Sequence, residues 1–171
     1  RTTSRNCTVS AALDDSLFPP VVAGPVIINF RTFPIRVNSN KYIRKSDGKI
    51  LTWGEFNAES DDNKEIIKGD SGGWYKDQRE LTWEEVSKHA GKTIFETTSL
   101  TKLPRRVFSF SQENLKEALL YNNTGHELFI SINFMNYVDG SIEGSEDIDE
   151  VLRSDKITKW LIDNVLTDSF I

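Results

Sequence analysis

The chain has 171 residues, 37% of them apolar and 27% charged, with a net charge of −5. That suits one globular domain with a sizeable core, and it offers no global basic field to draw in nucleic acid or an anionic membrane. No stretch approaches the roughly 18 apolar residues of a membrane span, and the single cysteine, Cys7, excludes an internal disulfide and a Cys-based zinc cluster.

In chain order, residues 26–33 are rich in β-branched and aromatic side chains and predict a buried strand ended by Pro34. Residues 38–77 are polar and glycine-punctuated, and predict a long loop insertion with at most short local structure. Thr82 and Glu85 form a capping-box pattern, which predicts a helix over 83–90 stopped by Gly91. Residues 93–97 read as a short strand, and 107–110 alternate weakly. Ser111 can cap a helix running to Tyr121, with Leu115, Ala118 and Leu119 on one face; residues 122–125 end it. Residues 127–138 predict another strand, closed by Asp139 and Gly140. A last helix over 155–166 carries Ile157, Trp160, Leu161 and Val165 on one face. Alternating strands and helices predict an α/β fold with a mostly parallel sheet and flanking helices.

The motifs are sparse. There is no G-x-x-x-x-G-K-[ST] loop and no G-x-G-x-x-G. The "GDSGGW" stretch from Gly69 reads as a turn, His89 and His126 as surface histidines without metal-ligand spacing, and the acidic run 143–150 as a solvated face. Two stretches stand out. "TSLTKLPRRVFSFS" gathers Lys102, Arg105 and Arg106 around a proline. Arg offers a planar fork suited to carboxylate or phosphate; on composition alone, a solvated loop is the default. "NFMNYVDG" puts polar Asn133 and Asn136 near the C-terminal end of an apolar strand, the end where ligands bind in open α/β sheets. The bland alternative is that these amides only tie down neighbouring loops.

Several segments, in order, resemble the adenylosuccinate synthetases. "TTSRNCTVSAAL" is similar to the family's "VTSSNTTAGG", and "NFRTFPIRV" to its strand ending "STRV" or "RTFPIRV". "TSLTKLPRRV" sits where the family has its aspartate loop, typically "ATTGRRRR", and "INFMNYVDG" where it has "LTKLDVLDG", which reads the guanine of GTP. "SGGWYKDQRELTWEEV" resembles the shorter archaeal-type and phage-type members. The resemblance implies an adenylosuccinate synthetase-like fold and a carbon–nitrogen ligase. Such an enzyme phosphorylates the 6-oxygen of a purine monophosphate with a nucleoside triphosphate and Mg2+, then lets the amine of L-aspartate displace that phosphate. A purine 6-oxygen leaves poorly until it carries a phosphoryl group, and a basic loop can clamp the two carboxylates of aspartate.

Carried over by position, the resemblance implies that Thr3, Arg36, Val37 and Leu103 face the substrate nucleotide. Ser99, Leu100, Thr101, Lys102 and Arg105 would form the aspartate loop. Arg105, Asn133, Phe134 and Asn136 would face the triphosphate. Two departures sharpen this expectation. Asn136 stands where the family has the Asp that reads guanine; an amide accepts and donates, as adenine requires, so ATP or dATP is the expected donor. Leu103 stands where the family has an Arg that reaches the ribose 2′-hydroxyl; leaving that hydroxyl unpaired would cost on the order of 1–3 kcal/mol, so a deoxynucleotide is expected. Both departures point to the phage-type branch, whose members join L-aspartate to dGMP on the way to 2-aminoadenine in phage DNA. An ordinary archaeal-type enzyme using IMP and GTP, and a non-catalytic nucleotide-binding relative, are the alternatives.

The family's phosphate loop, general base and catalytic His find no match here, so the catalytic residues are unknown and expected before Arg1. Residues 1–171 are thus expected to be the C-terminal half of one such domain, inactive alone. The remaining expectations are a homodimer, no metal ligand within these residues, no nucleic-acid or membrane partner and a cytoplasmic location. The last also fits the lone cysteine.

Overall fold

A computed structural model describes residues 8–19, 24–38, 40–67, 69, 75–99, 102–123 and 125–166. Thr3, Leu100 and Thr101, and most of the "GDSGGW" stretch, lie outside them.

The parallel element joins β1 (Val26–Arg31) to β7 (Leu128–Asn133), in a register running from Val26 opposite Leu128 to Arg31 opposite Asn133. Side chains alternate across the pair. Ile28, Phe30 and Ile132 therefore share one face, and it packs against α4 (Gln112–Tyr121) and α6 (Asp155–Asn164) through Leu115, Ala118, Leu119, Trp160 and Val165. Those are the helix faces predicted from periodicity. Ser111 caps α4, its hydroxyl accepting from the Asn114 N–H at 2.9 Å.

A second, antiparallel sheet orders β2 (Ile35–Arg36), β6 (Arg106–Phe108) and β5 (Glu80–Leu81). It supports α3 (Trp83–Ala90), whose buried Trp83, Val86 and Ala90 pack with Phe33, Leu81, Ile94, Val107, Val138 and Ile157 in the main core. The capping box forms as expected, with Glu85 N–H donating to the Thr82 hydroxyl and the Glu85 carboxylate accepting from Thr82 N–H at 2.8 Å. Gly91 ends α3 at φ 74°, where its N–H donates to the Ser87 carbonyl at 2.9 Å.

Within residues 38–77, β3 (Lys41–Arg44) pairs antiparallel with β4 (Lys64–Ile67), and α2 (Trp53–Ala58) lies between them. This unit has its own apolar cluster of Tyr42, Leu51 and Phe56, with Trp53 and Leu103 packed against it. Two further short α-helices are α1 (Val9–Ser16) and α5 (Ile148–Leu152).

Three strands differ from expectation. The buried strand expected over 26–33 stops at Arg31, and only Phe30 in it is buried. Residues 93–97 form no strand; only Thr97 bridges Pro104, and Ile94 N–H donates instead to the Ser87 hydroxyl at 2.8 Å. The strand expected over 127–138 stops at Asn133. Phe134 turns left-handed, at φ 65° and ψ 38°, and Met135–Tyr137 continue as a 3-10 turn.

Candidate functional site

The site builds outward from the C-terminal ends of β1 and β7. The Phe134 carbonyl, turned by its left-handed backbone, accepts from the Thr32 hydroxyl at 2.8 Å. The Arg31 guanidinium lies over the Phe134 ring, 3.7 Å from its centroid, and 5.8 Å from that of Tyr137. The two rings meet edge to face at 5.3 Å. Asn133, Phe134, Asn136 and Tyr137 form one wall of an open cleft of about 610 Å3. Residues 92–95 and Glu143 line the rest of it, with Lys92 paired to Glu143.

Behind the cleft stands Glu96. It pairs with Arg31, accepts from the Tyr137 hydroxyl at 2.8 Å, and lies 3.9 Å from Arg105 Nε. Burial, and then the hydrogen bond to Glu96, push the Tyr137 phenol up to about 12. Arg31 Nε is buried and finds no acceptor among the described residues.

The basic loop is a narrow turn. Arg105 N–H donates to the Glu96 carbonyl at 2.9 Å, Thr98 N–H to the Leu103 carbonyl at 2.9 Å, and Leu103 N–H to the Thr98 hydroxyl at 3.1 Å. Lys102 sits at φ 54° and is exposed, as is Ser99. The Trp83 indole anchors the return arm by donating to the Arg105 carbonyl at 2.8 Å.

The three cations of the loop therefore differ. Lys102 faces solvent, and Arg105 donates to the Thr97 carbonyl at 3.3 Å beside Glu96. Arg106 is held by Glu80 through two bonds of 2.7 Å, a bidentate structural pair.

Asn133, Phe134 and Asn136 thus meet in one cleft, and Glu96 links Arg105 to its wall. Leu103 packs against the Tyr42–Phe56 cluster. Arg36 lies near the Phe108 ring, 5.4 Å from its centroid, and Val37 is exposed at the end of β2. Sequence reasoning missed Arg31, Glu96 and Tyr137. An Arg inside the apolar run 26–33 was the available signal, because a charge there needs a partner.

Among the described residues, no group of three or more His, Cys, Asp or Glu side chains could hold a metal ion. No helix among them is long and apolar enough to cross a membrane.

No family model matches the chain. Three curated relatives do, each an N6-succino-2-amino-2′-deoxyadenylate synthase. The protein of Acinetobacter phage SH-Ab 15497 is 36% identical over 79% of this chain and 28% of its own length. That of Salmonella phage PMBT28 is 37% identical over 80% and 30%, and that of Vibrio phage phiVC8 34% identical over 85% and 31%. A solved structure of the cyanophage S-2L succinoaminodeoxyadenylate synthetase, bound to dGMP and dATP, has a TM-score of 0.47 and 27% identity over 75% of this chain and 29% of that one. The chain spans about three-tenths of the length of the curated relatives it matches. The chain is similar to the phage N6-succino-2-amino-2′-deoxyadenylate synthases, in keeping with the phage-type branch of the adenylosuccinate synthetase family that its segments resemble.

Proposed function

We propose that this segment serves in a purine nucleotide ligase that joins L-aspartate to C6 of dGMP, driven by ATP or dATP, giving an N6-succinyl product for 2-aminoadenine synthesis. One observation carries the reading: 34–37% identity to three such phage synthases across about four-fifths of the chain.

The residue roles are those that the family resemblance implies by position. Asn133, Phe134 and Asn136 line a cleft wide enough for a purine, and the Asn136 amide can both accept from and donate to adenine. Arg105 would reach between the triphosphate and the aspartate carboxylates, with Ser99, Leu100, Thr101 and Lys102 forming the rest of the aspartate loop. Thr3, Arg36, Val37 and Leu103 would face the acceptor nucleotide. Mg2+ would arrive with the triphosphate, since Mg2+ is commonly held by substrate phosphates with one or two carboxylates. The assembly would be a cytoplasmic homodimer, with residues 1–171 in the C-terminal half of the ligase domain and 38–77 as an insertion in it.

The test is product mass in an assay of the intact protein, offering dGMP or IMP with ATP, dATP or GTP. Succinylated dGMP with ATP or dATP is expected. Turnover of IMP with inert dGMP, or clear preference for GTP, would overturn the reading. Residues 1–171 alone are expected to yield no product.

A further inference from the structure

Three segments send a donor to one carboxylate. Arg31, ending β1, pairs with Glu96 Oε1, and Tyr137, in the turn after β7, donates to the same oxygen at 2.8 Å. Arg105, on the return arm of the basic loop, holds Nε 3.9 Å from Oε2. The Glu96 side chain is only 21% exposed. A carboxylate so shielded is costly unless it is paired and hydrogen-bonded, and Arg31 and Tyr137 supply both at Oε1.

The two oxygens serve different segments. Oε1 fixes Tyr137 and Arg31, and Arg31 in turn supports the Phe134 ring that walls the cleft. Oε2 faces Arg105 beyond hydrogen-bond range, so it attracts a guanidinium whose Nε donates to the Thr97 carbonyl. The Glu96 backbone repeats the tie, since its carbonyl accepts from Arg105 N–H at 2.9 Å.

We propose that Glu96 is a positioning residue: its carboxylate sets the Phe134–Tyr137 turn against the loop at 96–105, and so fixes how the triphosphate site faces the aspartate site. This rests on the reading of those two segments given above. Glu96 itself touches neither substrate.

Two measurements on the intact protein test it. In steady-state kinetics, Glu96→Ala raises KM for both the nucleoside triphosphate and L-aspartate by roughly tenfold or more, with kcat falling less. Glu96→Gln keeps the shape and an acceptor for Tyr137 but drops the charge, so KM for L-aspartate rises more than KM for the triphosphate. Tyr137→Phe cuts the turn side alone and raises only the triphosphate KM.

Amide hydrogen exchange gives a readout independent of turnover. Glu96→Gln speeds exchange roughly tenfold at both Arg105 and the amides of Tyr137 and Val138, with the α3 amides unchanged. Exchange that quickens at one segment only, or everywhere alike, overturns the proposal, as do unchanged KM values in Glu96→Gln. A wild type that leaves dGMP untouched overturns the reading of function instead, and the exchange result then decides on Glu96.

Discussion

Phe134 adopts a left-handed backbone without being glycine, which costs about 1–2 kcal/mol. Its surroundings offset that: the Thr32 hydroxyl holds its carbonyl and the Arg31 guanidinium covers its ring. The same packing shields Tyr137. Its phenol is pushed up to about 12 by burial first and then by the hydrogen bond to Glu96. Tyr75 is raised to about 12 by burial and its bond to Glu117. Both groups hold their protons more tightly folded than unfolded, where a phenol ionises near pH 10. Their contribution to stability is therefore fully present below about pH 10 and lost as pH rises toward 12. Tyr137→Phe should remove one late-ionising phenol from the ultraviolet titration and flatten the alkaline fall in stability. An unchanged slope in that range would mean that the Tyr137 proton is held no more tightly folded than unfolded.

Two glycines at the end of α3 constrain the chain for different reasons. Gly91 has a left-handed φ of 74°, with open space where a Cβ would sit, so the constraint is purely backbone. Gly140 has no left-handed backbone, yet a Cβ there would lie 2.6 Å from the Ala90 carbonyl oxygen and 3.0 Å from Lys92 Cδ. Gly91→Ala should cost about 1–2 kcal/mol, and Gly91→Asn should recover much of it, because Asn tolerates that conformation. Gly140→Ala should cost about 1–3 kcal/mol by overpacking, and Gly140→Asn more. Denaturant melts of the four variants separate the two causes, since recovery by Asn at 140 would rule out the steric one.

The same elements show what a sequence can reveal. The capping box at Thr82, the N-cap at Ser111 and the stop at Gly91 depend on residues within one turn, and all were legible. Thr52 and Glu55 form an equally local box at α2, hidden by its glycine-rich surroundings. The end of β7 was not legible, because Phe134 is a residue type that favours strand. Asn133 and Asn136 were legible as polar breaks in an apolar run, and Phe134 through the family resemblance, whereas Glu96 was not. Its side-chain partners Arg31 and Tyr137 lie 65 and 41 residues away, and nothing local marks their meeting.

Across the whole chain, the β1–β7 pair has two unequal faces. Parallel strands are normally covered on both. Among the described residues, α4 and α6 cover one, against Ile28, Phe30 and Ile132. On the other, Ile27 and Phe129 stand side by side in register, 62% and 47% exposed. The energetic consequence is asymmetric. Phe30→Ala removes a buried ring whose centroid lies 5.9 Å from that of Phe110, the two rings tilted at 59°, and should cost about 3–5 kcal/mol. Ile27→Thr with Phe129→Thr keeps strand-compatible side chains at exposed positions, so residues 1–171 should lose only about 0.5 kcal/mol in a denaturant melt. Solution behaviour should respond in the opposite order. Adjacent exposed apolar side chains promote association, so concentration-dependent sedimentation and binding of a hydrophobic dye should both fall in the double variant. If they persist, the sticky surface lies elsewhere, and Leu120 and Tyr121, exposed at the end of α4, become the next positions to exchange.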